Sequence, residues 1–167
     1  MPIAQDSQST NARGGTEAMR DLIIEAVSEE LLDKFQIFIS RVEQPYDETK
    51  IRIYYAHDLP GDPAADAALL NDGWKNFHLL IFVSNWQMQR FIERYQIPWS
   101  RCIVILNAID PIEDHVKPKS PLRLAYWSTP HRGLNILLPV FDALHKEFPD
   151  IQLDVFSSYK LYGWELS

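Results

Sequence analysis

Three short clusters hold the residues of this sequence that could do chemistry. His57-Asp58 sets an imidazole beside a carboxylate. A histidine can give or take a proton near neutral pH, and the adjacent aspartate can orient it or bind hydroxyls. Two polar loop residues capping a strand would read the same way. Arg13-Gly14-Gly15-Thr16-Glu17 places a glycine pair ahead of a helical pattern. Glycine lets backbone approach a ligand closely, and free N–H groups at a helix start attract phosphate or a sugar hydroxyl. A flexible loop ending in an N-cap accounts for the same residues. Ser128-Thr129-Pro130-His131-Arg132-Gly133 lies between an apolar strand-like run and an apolar helical one. There the helix start, the guanidinium of Arg132 and the imidazole of His131 offer three donors of suitable charge to a pyrophosphate. The plainer alternative is a strand-to-helix turn with a solvated arginine.

Other patterns carry less. Asp58, Asp62 and Asp66 match no calcium-loop spacing and have no cysteine or second histidine in their run, so no metal site is expected. Ser84-Asn85-Trp86 is most economically a helix cap, and Trp74, Trp86 and Trp99 fit core or rim positions. The sequence holds no Gly-x-Ser-x-Gly elbow, Walker loop or zinc spacing.

The elements that must position these clusters follow from hydrophobic periodicity. A helix is expected over 16–34, with Thr16 as N-cap and Met19, Ile23, Ala26, Val27 and Leu31 on one stripe. Apolar runs at 35–39, 51–56, 79–83 and 102–106 read as strands covered on both faces of a parallel sheet. Helices are expected between the later ones, at 64–70 and at 85–95, the second marked by Ser84 and Gln87 at capping-box spacing and closed by Pro98. Residues 40–50 show no helical pattern and sit near the lower length limit for a parallel crossover. The alternation predicts a doubly wound, mainly parallel, Rossmann-like α/β sheet for residues 1–110, with 1–12 a polar tail or loop. Residues 111–121, rich in proline and charge, read as a linker. Residues 122–167 supply strand, helix and strand at 122–127, 133–148 and 151–156, a single β-α-β unit that opens a second Rossmann-like domain.

Composition bounds the partners. The 167 residues carry a formal net charge of −7, which argues against nucleic acid as a partner because phosphate neutralisation needs a basic face. The single cysteine, Cys102, lies in an apolar run and is expected as a buried strand thiol in a reducing compartment. The amino terminus lacks a signal-peptide pattern and no apolar run is long enough to cross a bilayer, so a cytoplasmic location is expected.

The order of these pieces resembles family 4 of the retaining GT-B glycosyltransferases. Gly14-Gly15-Thr16-Glu17 looks like the family's glycine loop, and His57-Asp58 follows a strand as its histidine does. Phe82-Val83-Ser84-Asn85-Trp86 is similar to its strand end, Ile97-Pro98 and 104–110 to its passage into the linker, and 126–133 to its donor-phosphate loop. The resemblance spans about residues 13–162. It implies sugar transfer with retention from a nucleotide-sugar donor to an acceptor hydroxyl, with no metal and no cofactor beyond the donor itself. Residues 1–110 would then form the acceptor-side domain, and 122–167 would open the donor-side one. The diphosphate would be cradled by Gly14, Gly15 and Thr16 on one side and by His131, Arg132 and Gly133 on the other, with His57 and Asp58 in the catalytic positions. The sequence departs from the family pattern in three places. No apolar strand precedes the glycine loop, Ala108 stands where glycine is usual, and the late acidic pair, two glutamates separated by seven residues, has no counterpart. The expectation is therefore a truncated product or fragment, weak or inactive alone. Two alternatives stay open: a non-catalytic α/β binding module derived from such an enzyme, and one half of a split enzyme whose donor domain is a separate chain; the acceptor itself could be associated with a membrane.

Overall fold

In the computed structural model, which describes residues 14–114, 116–117 and 121–159, the apolar runs pair side by side. The tail at 1–12, Arg13 and linker residues 115 and 118–120 lie outside the described residues. The chain divides between Ile109 and Asp110 into two compact units, each taken by itself below.

The first unit contains helices α1 (Gly15–Ala26) and α2 (Glu29–Leu32), then strands β1 (Phe35–Ile39) and β2 (Ile51–Ala56). Helix α3 (Pro63–Leu69), strand β3 (Leu79–Phe82), helix α4 (Asn85–Tyr95) and strand β4 (Cys102–Val104) complete it. The four strands are parallel in the order β1-β2-β3-β4, with Ile53 facing Ile37 on one side and Leu79 on the other. Side chains alternate across the sheet. Phe38, Tyr54, Ala56, Leu80 and Phe82 join Ala65 and Leu69 of α3 and Phe91 and Tyr95 of α4 in one buried cluster. Ile37, Ile53, Tyr55 and Ile81 form a second, packed against Leu32, Ile23 and Val27. The sheet therefore has a core on each face, which is why its strands read as unbroken apolar runs rather than alternating ones.

Five expectations need correction. The strand order is sequential, so the reversal that defines a doubly wound sheet does not occur among the described residues. Both α3 and α4 cross on the same face, and successive right-handed crossovers carry the sheet in one direction; α1 and α2, which precede β1, cover the other face. The helix expected over 16–34 is two helices broken at Val27, whose backbone is extended, and Ser28, whose Oγ accepts from Leu31 N at 3.4 Å to restart the chain as α2. Its N-cap is Gly14 rather than Thr16. Finally, β4 is an exposed edge strand rather than one covered on both faces, and Cys102 is half-buried, with burial raising its thiol to about 11.

The link at 40–50 crosses without a helix, and a buried amide explains how. Gln36 Nε2 donates to the Pro45 carbonyl at 2.9 Å, and Asp47 N donates to Gln36 Oε1 at 2.8 Å, so the side chain is satisfied at both ends by the link it anchors. Tyr46 then packs edge-to-face with both Phe38 and Phe77, which also meet each other, so the link is tied to the core by a three-ring cluster.

The second unit holds β5 (Arg123–Tyr126), α5 (Leu134–Glu147) and β6 (Gln152–Val155), with β5 and β6 paired in parallel as a separate two-stranded sheet. Helix α5 contains Pro139, which removes one backbone donor from its interior, and has no buried residue. Among the described residues no helix is long and apolar enough to cross a membrane.

Candidate functional site

The carboxyl edge of the first sheet is where β2 ends and His57-Asp58 begins. In direct contact with that corner, Ser40 follows the end of β1 in a left-handed conformation, φ 60°, rare for a residue with a side chain. Three bonds hold it there. Its N–H donates to Tyr55 O at 2.9 Å, its carbonyl accepts from the Tyr54 hydroxyl at 2.8 Å, and its Oγ accepts from His57 N at 2.9 Å. That last bond fixes the backbone from which the imidazole projects.

The His57 ring lies against Tyr55, with centroids 4.4 Å apart, and the residue is half-buried. Burial depresses its pKa below 6.5, opposed by the negative charges of Asp58 and Glu17. The neutral imidazole therefore dominates at neutral pH and can accept or donate at Nε2. That nitrogen is buried and has no hydrogen-bond partner among the described residues. An unsatisfied buried polar atom costs about 1–3 kcal/mol, and native proteins retain few of them.

Glu17, in the first turn of α1, lies within electrostatic reach of His57. Glu17 reaches back to accept the Gly14 N–H at 2.6 Å, the half of a capping box that a glycine N-cap permits. A side chain at Gly14 would press on that carboxylate, whereas a Cβ at Gly15 would meet nothing within 4 Å. Packing inside the unit therefore does not explain why position 15 is glycine.

Gln87 is the residue that sequence reasoning missed. It was legible only as the third residue of a capped helix; in the fold it is buried and binds three backbone groups across two strands. Its Oε1 accepts from Val83 N at 2.8 Å, and its Nε2 donates to Ala56 O at 3.3 Å and to Asp58 O at 2.8 Å. Ser84 Oγ caps α4 through Gln87 N at 3.1 Å.

In the second unit the loop 128–133 joins β5 to α5. The Tyr126 hydroxyl donates to Thr129 O at 2.8 Å, and Ser157 Oγ donates to Ser128 O at 2.6 Å, tying the loop to both strands. Gly133 is the N-cap of α5 at φ 97°, with no side-chain cap, and that conformation strains any other residue. Thr129 is 8% exposed and its Oγ1 has no partner among the described residues. The His131 ring stacks on Tyr159 at 5.9 Å. Arg132 is exposed, and among the described residues its guanidinium has no ion-pair partner. His131, Arg132 and Gly133 thus share one helix start, in the second unit, while in the first His57-Asp58 lies at the sheet edge and Gly14 and Gly15 open α1.

No group of three or more potential metal ligands occurs among the described residues. No family model, curated protein or solved structure matches the chain.

Proposed function

We propose that the chain takes part in glycosyl transfer from a nucleotide-activated sugar to an acceptor hydroxyl, with retention, as its resemblance to family 4 of the GT-B glycosyltransferases implies. The observation that carries this reading is His57: a neutral, half-buried imidazole with an unpartnered Nε2, seated beside a glycine-opened helix start at the carboxyl edge of a parallel sheet. Open α/β sheets bind ligands at that edge, and helix starts suit anionic ones. In the transfer, the bond from the anomeric carbon to the diphosphate oxygen breaks. A bond to the acceptor oxygen forms on the same face, and the acceptor proton passes to the departing diphosphate oxygen. His57 and Asp58 are assigned to the sugar and acceptor, and the backbone at Gly14, Gly15 and Thr16 to diphosphate oxygens. His131, Arg132 and the Gly133 helix start are assigned to diphosphate charge in the second unit. Preorganised donors of this kind stabilise the charge that develops on a departing diphosphate.

The rival reading, a non-catalytic binding module, has one observation in its favour: the Gly14 N–H is already bonded to Glu17. Two or three charge-assisted bonds, each about 1.5–3 kcal/mol, barely offset the cost of immobilising a flexible ligand. Binding of nucleoside diphosphates is therefore expected at about millimolar affinity. The test is titration of the chain with nucleoside diphosphates and a panel of nucleotide sugars, followed by calorimetry and by the NMR signals of Gly15, His57 and Arg132. Those signals should move with the nucleotides and respond less in Arg132→Ala. Gly15→Ala should fold normally and lose the response at its own loop. Signals that stay unmoved at high millimolar nucleotide would overturn the assignment, and binding without sugar transfer to any acceptor would favour the rival.

A further inference from the structure

Helix α4 does more than cover the sheet. Two of its residues, Gln87 and Tyr95, are eight positions apart on its buried face, and each ends on the loop that leaves β2. Gln87 Nε2 donates to Asp58 O at 2.8 Å, at the start of that loop. The Tyr95 hydroxyl accepts from Gly61 N at 3.0 Å, at its far end, where Gly61 turns at φ 90°. The same hydroxyl donates to Asp66 Oδ1 at 2.7 Å, and Asp66 is held by Arg94 through two bonds of 2.9 and 2.6 Å. A core-facing tyrosine needs only one partner to satisfy its hydroxyl; this one bridges a loop amide to a fixed carboxylate. Similarly, Gln87 could satisfy its amide within its own helix and strand, yet it reaches across to β2.

We infer that Gln87 and Tyr95 are positioning residues for the His57–Asp58 corner, clamping the loop 57–61 at both ends against α4. The inference rests on the reading of His57 as a ligand-facing residue and deepens it. His57 gains its place from three sides: Ser40 Oγ at its own N–H, Gln87 at the next carbonyl, and Tyr95 at the loop's return. Its ring is faced by Tyr55 from β2, by Asp58 from its own loop and by Glu17 from α1. Releasing the clamp changes how deeply the imidazole sits among them.

The test uses the 167-residue chain without ligand. Gln87→Met keeps the side-chain volume and deletes both polar ends; Tyr95→Phe keeps the ring in the core and deletes only the hydroxyl. Both should melt cooperatively. Hydrogen exchange at the Gly61 amide should accelerate about tenfold or more in Tyr95→Phe. In Gln87→Met the His57 ring resonances should shift, and its titration midpoint should rise toward 6.5 as the imidazole becomes more exposed. Should Gln87→Met fail to fold, Tyr95→Phe carries the test through the same His57 resonances and midpoint. Folded variants whose His57 resonances and midpoint match those of the parent overturn the inference, even if Gly61 exchange changes. Because no nucleotide is present, this outcome is separate from that of the ligand titration: His57 can respond to the clamp while nucleotides fail to bind, which would sink the functional reading alone.

Discussion

His57 is placed by burial, and burial sets the sign of its pH response. Its folded pKa lies below 6.5, so the unfolded chain binds the proton more readily in the window just under that value. The stability that the neutral imidazole contributes is therefore present above 6.5 and is lost as pH falls through 6.5 toward the folded pKa. Urea midpoints measured from pH 7.5 down to 5.5 should drop more steeply for the parent chain than for His57→Gln; equal slopes would show that the ring titrates as it does in solvent. Much of this site could be read from residue order. A polar pair directly after an apolar strand has to lie at the sheet's carboxyl edge, and a glycine pair before a helical stripe has to lie at a helix start. Ser40 and Gln87 could not be read so. Ser40 looks like an ordinary loop serine until the chain turns left-handed there, and the partners of Gln87 are 25 or more positions away along the chain in two of its three bonds.

At the scale of elements, local chemistry decides boundaries and close approach decides the rest. Asp62 caps α3 by accepting from Ala64 N at 2.9 Å, and Pro63 opens it, one position before the start expected from periodicity. After α3 the chain turns through Asn71 and Asp72, both left-handed, into a short 3-10 turn, Gly73–Asn76, that delivers Phe77 to the core. A Cβ on Gly73 would collide with the carbonyl oxygen of Ala68, a backbone atom that cannot swing away. Gly73→Ala should therefore lower stability by about 1–3 kcal/mol, the usual range for a forced overlap in a packed region. Gly15→Ala, with open space around its Cβ, should stay within about 0.5 kcal/mol of the parent. Chemical unfolding of the two variants side by side checks both. The break at Val27-Ser28 shows the limit of periodicity. The apolar stripe continues through Leu31, but Ser28 supplies its own cap and the acidic pair Glu29-Glu30 suits a new first turn.

Across the whole chain the two units differ in what they can bury. The first encloses Phe38, Tyr54, Phe77, Phe82 and Phe91 almost completely and has a core on each side of its sheet. Among the described residues the second pairs two strands, leaves Ile136, Leu138, Val140 and Phe156 exposed, and has no buried residue in its helix. Two strands and one helix stripe cover little apolar surface, and two-stranded sheets are marginal in water. Native-state hydrogen exchange should accordingly show amides of β1, β2 and β3 opening only with global unfolding, and those of β5, β6 and α5 opening at lower free energy. Uniform protection across both units would refute that ranking. By itself the sequence determined the class of the fold, the position of nearly every strand and helix, and which polar pairs would lie at strand ends and helix starts. These follow from periodicity and capping, which act over a few residues. The tertiary structure alone decided the sequential strand order, the anchoring of the 40–50 crossover by Gln36, and the hold of α4 on the His57 corner. Each of those depends on which distant groups meet across the sheet, and a buried amide or hydroxyl takes its role from partners that only the folded chain brings within reach.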